Sequence, residues 1–559
     1  MSVRPDIRAL CLALAAYSLS PQSMAQTVEA APLRQIDPWG VGWLGQADGA
    51  LPVSLWSGAS AEVLSPLMAA LRTETLSPAT QAALRRITLS SARPPEAGVE
   101  AVEARLGLME RIGEMRRSVD LRSRFPETLW GAQGAALGAE FDLAAGRSET
   151  ACAAVAERRA DDVRWMPSRA LCYALSGDFD AASLVVEQTP HETGSDHAWL
   201  ISAIETMRQA GKTQPAGRYV TPFETAVSIA AGLSAPPAAF NSMAGDLALS
   251  ILRHPRATAD QRRAALRPAL RSGLAASADV RSVVTAGITA RTSASAGEKA
   301  PPALPQEALQ AALAAINDAD RTPEQKAQAM MTALVSATTA EEGRIAALTL
   351  AGDLAALPKT GTGGDQADAF ARALLMSGDL KGATEWRSHM DSLPEDRQDP
   401  WAAARIDFMI ALATSRAEDV SIIIDRLLAA TPAKASEQPG KAQAPPLKRD
   451  EARRLETTRA LFLSVGTGRA LSPGGRSVIA SQKSVGKGVP DATLARIQSA
   501  VEAGAHGEAA LASLALLGED PSGVSFAGLA DILTLLRRSG LGIDADRIAL
   551  EALQPWKTF

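Results

Sequence analysis

Along most of the chain, apolar residues recur at steps of three and four. Val102, Leu106, Met109 and Ile112, or Leu511, Leu514 and Leu517, fall on one face of an α-helix and lack the two-residue rhythm of a half-buried strand. The stretch Ser421–Arg426, with three consecutive isoleucines, is the best candidate for an extended segment, and it fits a helix as well. Clusters of Pro, Gly, Ser and Thr interrupt the helical pattern at 211–222, 293–305, 357–366, 431–449 and 466–477, and these read as loops or linkers. The pattern therefore predicts an all-α fold.

A finer signature recurs between the helices. Gly146, Gly177, Gly378, Gly504 and Gly540 each precede an alanine by five residues: Ala151, Ala182, Ala383, Ala509 and Ala545. Glycine lets the chain reverse between antiparallel helices, and alanine lets two backbones approach closely. The stretch RWMPSRALCYALSGDFDAASLVVEQTP adds the aromatic Tyr173 and Phe179 at the positions of a tetratricopeptide unit, whose period is about 34 residues. These features predict an α-solenoid of degenerate tetratricopeptide-like helical hairpins, with Gly146, Gly177, Gly378, Gly504 and Gly540 as repeat turns.

The segment before the first helix departs from this pattern. Residues 37–58 hold Trp39, Trp43 and Trp56 in a Gly-rich, helix-poor setting, in a chain that is 4% aromatic. An indole left in water is unfavourable by roughly 2 kcal/mol, so the three need cover. Two covers are open: the arm folds back and caps an end of the helical stack, or it docks on a partner through aromatic anchors.

Composition narrows the function classes. The formal charge of -5 leaves no broad basic footprint, which argues against nucleic-acid binding. Arg4 and Arg8, the apolar run Ala9–Ala16 and the small residues Ser23 and Ala25 read as a signal peptide cleaved after Ala25, which predicts a periplasmic protein. The apolar run is too short to span a membrane, and no later stretch is long enough, so no transmembrane segment is expected in the mature chain. Cleavage removes Cys11 and leaves Cys152 and Cys172, two thiols that an oxidising compartment would pair; two unrelated buried thiols are the alternative. The expected organisation is a signal peptide at 1–25, a Trp/Gly-rich arm at 26–60, a helical-repeat domain with the cysteine pair at 61–210, a middle helical domain at 223–430, a basic Pro/Gly-rich linker at 431–490 and C-terminal helical repeats at 491–559.

The segments DPWGVGWLGQADGALPVSLWSGAS, LRRITLSSARPP, WMPSRALCYALSGD and LADILTLLRRSGLGIDADRIALEAL together resemble a set of uncharacterised alphaproteobacterial exported, alanine-rich helical proteins, often given the automatic name "antifreeze glycopeptide polyprotein". The resemblance covers both ends and the first third of the chain. It implies an exported helical-repeat protein with a cysteine pair and no stated activity. The Ala-Ala-Thr tripeptide runs of true antifreeze glycopeptides are absent.

Candidate chemistry is sparse. His191 and His197 bracket HETGSDH, short of the three or four organised ligands a metal needs. Lys359-Thr360-Gly361 and Ser484-Val485-Gly486-Lys487 imitate penicillin-recognising enzymes, but in reversed order and without the required helix. GVSFAG at 523–528 lacks a nucleophile elbow's spacing. No catalytic, cofactor or metal residues are assigned. Residues 431–490 carry eleven Lys and Arg against four acids, which suggests a tether for an acidic polymer or anionic lipid, or a plain solvated linker. The sequence thus points to a non-enzymatic periplasmic scaffold or adaptor for an envelope protein or peptide, a role open to an accessory part of an envelope machine. The alternative is a cell-envelope hydrolase acting on peptidoglycan or peptides without a recognisable motif.

Overall fold

The computed structural model describes residues 37–93, 99–189, 196–208, 214–293, 307–416, 420–432, 445–482 and 486–553. The chain divides at Asp37 and Pro38, and the second unit, Pro38–Phe559, is compact. The expected signal peptide and residues 26–36 of the arm lie outside the described residues, and every described helix belongs to the second unit.

The fold is all-α. Its first part comprises α1 (Ala61–Ala70), α2 (Pro78–Leu89), α3 (Val99–Arg111), α4 (Met115–Ser123), α5 (Ala132–Ala144), α6 (Ser148–Ala156), α7 (Met166–Ser176), α8 (Phe179–Gln188) and α9 (His197–Arg208). The middle holds α10 (Pro222–Ala230), α11 (Gly245–Arg253), α12 (Ala259–Arg271), α13 (Ser277–Ser293), α14 (Glu307–Asn317), α15 (Pro323–Val335) and α16 (Ala340–Ala356). The last part is α17 (Gly364–Ser377), α18 (Leu380–Ser392), α19 (Pro400–Ala413), α20 (Val420–Ala429), α21 (Pro445–Gly466), α22 (Pro473–Ser481), α23 (Asp491–Glu502), α24 (His506–Leu514), α25 (Phe526–Arg538) and α26 (Gly542–Ala552). Extended pairing among the described residues is confined to two isolated bridges, Leu44 with Ser90 and Lys487 with Val524. No described helix is long and apolar enough to cross a membrane.

One local rule starts many of these helices. Ser77, Thr221, Thr322, Asp399 and Ser472 stand before Pro78, Pro222, Pro323, Pro400 and Pro473, and each side chain accepts the N–H of the residue three further on. Proline lacks an N–H that would be orphaned in the first turn, and the capping oxygen satisfies one that remains. Helices adjacent in sequence then pack as pairs, among them α5 with α6, α7 with α8, α17 with α18 and α25 with α26.

Long-range packing joins these pairs. Helix α21 lies along α25, while α24 and α26 pack against α1 and α2, so the end of the unit meets its beginning. The boundaries expected near 210, 430 and 490 fall inside this single unit. Residues 431–490 are not a linker throughout: the 22-residue α21 and then α22 occupy much of the stretch, because Pro445 and Pro473 open helices rather than break them.

Candidate functional site

Helix α17 is buried on every side from Ala367 to Leu375, yet it carries Asp368 and Arg372. Buried charge must be matched. Arg405 of α19 donates to Asp368 at 2.6 Å and to Glu456 of α21 at 3.1 and 3.2 Å, and Arg372 sits 2.9 Å from Asp368. Two guanidiniums and two carboxylates thus form a closed network that ties α17, α19 and α21 together. Burial pulls Arg372 down to about 10. Burial acts against Arg405 and Asp368 as well, but their mutual attraction, with Arg372 and Glu456, overrides it and holds Asp368 below the ordinary carboxylate range and Arg405 above its own.

Trp401, near the start of α19, lies between Arg405 and Arg453, with ring-to-guanidinium distances of 4.6 and 4.8 Å. Its indole N–H donates to Thr457 Oγ1 at 3.0 Å. On this base rests a cleft of about 600 Å³ walled by α18, α19, α20 and α21. Arg387, Arg426 and Arg453 converge on it. Arg387 binds Asp407 at 2.7 Å and Asp391 at 2.7 Å, Arg426 approaches Asp407 at 3.6 Å, and Arg453 is paired with Asp399. Ala403, Ala404, Ala429 and Ala430 supply its apolar floor. Helices hold these groups, except that Ala430 follows α20 and Asp399 caps α19 by accepting the Ala402 N–H at 3.1 Å. The carboxylates of the site are engaged as counter-ions.

Other buried acids are explained locally. Burial raises Asp246 to about 7, and this carboxyl accepts the N–H groups of Met115 at 2.7 Å and Leu247 at 2.8 Å, tying α4 to α11. Burial alone raises Glu140, on α5, to about 7.

The turn glycines Gly146, Gly177, Gly378, Gly504 and Gly540 all have φ between 78° and 88°, the left-handed region. The alanine five residues beyond each is at most 1% exposed. Cys152 on α6 and Cys172 on α7 have their sulfurs 2.01 Å apart, at bonding distance.

In the arm, Trp39 and Trp56 are 2% and 1% exposed and meet edge to face at 5.3 Å. Buried Arg105 organises this segment, donating to the carbonyls of Val41 at 3.1 Å and Thr88 at 2.8 Å while lying over the Trp39 ring. Half-buried Trp43 donates to Asp120 at 3.1 Å. Of the two covers left open by the sequence, Trp39 and Trp56 take theirs from within the chain. The Gly507 N–H donates to Leu55 O at 2.7 Å, which seats the arm on α24.

Among the described residues no three His, Cys, Asp or Glu gather as a metal site would require. His191 lies outside them; Asp196 caps α9 through Trp199 N–H at 3.1 Å and pairs with Arg218 at 2.6 Å. Lys359 pairs with Glu385 at 3.0 Å, and Ser525 of GVSFAG caps α25. In the basic stretch, Lys434, Lys441, Lys483 and Ser484 lie outside the described residues. Arg449, Arg453 and Arg469 pair with Asp365, Asp399 and Asp546, so these three charges have partners within the chain. Sequence reasoning missed the cleft itself, whose charged partners are far apart along the chain.

Compared with known proteins, the chain matches no family model, no curated protein and no solved structure.

Proposed function

We propose that the chain is an exported, periplasmic adaptor that binds an envelope protein or peptide without transforming it, built as a solenoid of degenerate tetratricopeptide-like hairpins. The cleft walled by α18 to α21 carries this reading: about 600 Å³ of space bounded by converging arginines on packed helices. Five Gly-turn-Ala hairpins support the repeat architecture, and the leader-like N-terminus together with the cysteine pair supports export. For an envelope hydrolase, a carboxylate would have to be free to act as acid, base or nucleophile, whereas Asp399 and Asp407 are each held by arginine.

Affinity purification of the exported chain with photo-crosslinkers at α18 and α20 tests the proposal. A partner crosslinked at these positions, with no turnover of peptidoglycan fragments, is the expected result. Turnover of those fragments, or retention of the uncleaved chain in the cytosol, would overturn it.

A further inference from the structure

We infer that the α18–α21 cleft recognises a peptide that ends in a free carboxylate and carries small apolar side chains, a ligand assignment that rests on the binding role proposed above. Donors and acceptors in the cleft are unevenly matched. A guanidinium offers five N–H donors and accepts none. The Arg426 side chain makes no hydrogen bond among the described residues, is 56% exposed, and is held to Asp407 only as a 3.6 Å ion pair. Among the described residues the Arg453 side chain gives one hydrogen bond, to Asp399.

The acceptors are in the opposite condition. Asp407 receives Arg387 at 2.9 Å, and Asp399 receives both Arg453 and the Ala402 N–H. Asp391, the third carboxylate here, is bound by Arg387 at 2.7 Å, so three guanidiniums meet three carboxylates. The unspent N–H groups are those of Arg426 and Arg453, and the ligand brings oxygens to them. Planar carboxylates match the guanidinium fork in two-point geometry. A bare anion would leave most of the cleft empty. The four alanines of the floor give methyl-sized space and no polar partner, which suits a short run of alanine-like residues behind the carboxylate.

Isothermal titration of the full chain with acetyl-Ala-Ala-Ala as free acid, with the same peptide as its amide, and with inorganic phosphate tests this. The free acid is expected to bind at least tenfold more tightly than the amide and than phosphate. Arg426→Gln should abolish that preference while leaving helical content unchanged, since the side chain is half-exposed. Equal binding of acid and amide, no binding of either, or phosphate competing as strongly as the acid would overturn the inference. A partner still crosslinked at α18 and α20 in those cases would show that the adaptor role survives the failure; absence of any partner would fail the adaptor role separately.

Discussion

Gly507 gives the contact between arm and last helices a sharp test. It lies in the first turn of α24, and a Cβ there would run into the six-membered ring of Trp56 and lie 2.9 Å from Leu55 O. Gly352, in α16, has open space around the same added atom. In a helix, Gly→Ala alone gains about 1 kcal/mol. At Gly352 nothing opposes that gain, so Gly352→Ala should stabilise by about 0.5–1 kcal/mol. At Gly507 the methyl group must displace an indole packed on Trp39, and overpacking of this kind costs about 1–3 kcal/mol. The net at Gly507 should be a loss of about 1–2 kcal/mol, felt where arm and helix separate. Hydrogen exchange measures such local opening. Amides of residues 51–59 and 505–514 should exchange roughly five- to thirtyfold faster in Gly507→Ala, because about 1.4 kcal/mol is a factor of ten, and should be unchanged in Gly352→Ala. Slower exchange in Gly507→Ala would refute the seating of Trp56 on α24.

Three other perturbations have defined outcomes. Glu140→Gln should stabilise the fold at pH 8: the carboxyl is raised from 4.5 to about 7 by burial, so the wild type is favoured below 4.5 and loses stability as pH rises through 7. About 3 kcal/mol is the upper bound, reduced to about 1–2 kcal/mol because the group is half-buried, and urea unfolding at pH 5 and pH 8 should show the advantage shrinking at the lower pH. Reduction of Cys152–Cys172, which closes a loop of 20 residues, should cost about 3 kcal/mol, read as a lower thermal midpoint in reductant that Cys152→Ser reproduces without it. Glu456→Ala leaves Arg405 with half its counter-charge in a buried site and should cost about 3–5 kcal/mol; an unchanged denaturation midpoint would contradict the closed network.

The parts legible in sequence are those with a local physical cause. Glycine at a left-handed turn and alanine at a close helix contact are each demanded by the backbone within five residues, so the hairpins at Gly146, Gly177, Gly378, Gly504 and Gly540 can be read directly. The need to cover Trp39 and Trp56 is legible; what covers them is not, since α24 lies some 450 residues further along. Helices α21 and α22 are hidden because proline reads as a breaker, whereas Pro445 and Pro473 occupy first turns. The cleft leaves no motif. Its contacts join residues separated by 20, 37, 51 and 54 positions, in Arg387–Asp407, Arg405–Asp368, Arg405–Glu456 and Arg453–Asp399. Arginine and aspartate are ordinary surface residues until packing removes the water between them.

Helix α26 connects the arm to the cleft. Asp544 and Asp546 are two residues apart, about 200° around a helix, so they face different neighbours. Asp544 pairs with Arg86 of α2, and Asp546 receives Arg469 at 2.6 Å from the segment after α21. Arg469 in turn donates to Arg416 O at 2.9 Å, just beyond α19, and α26 packs on α19 itself. Burial raises Asp544 even with Arg86 beside it, so this ionised pair is sustained by the surrounding packing. An array whose units touch only their neighbours can loosen at either end without consequence for its middle. Here the last helix grips both α2 and the helix that carries Trp401, so the start of the unit and one wall of the cleft share a neighbour.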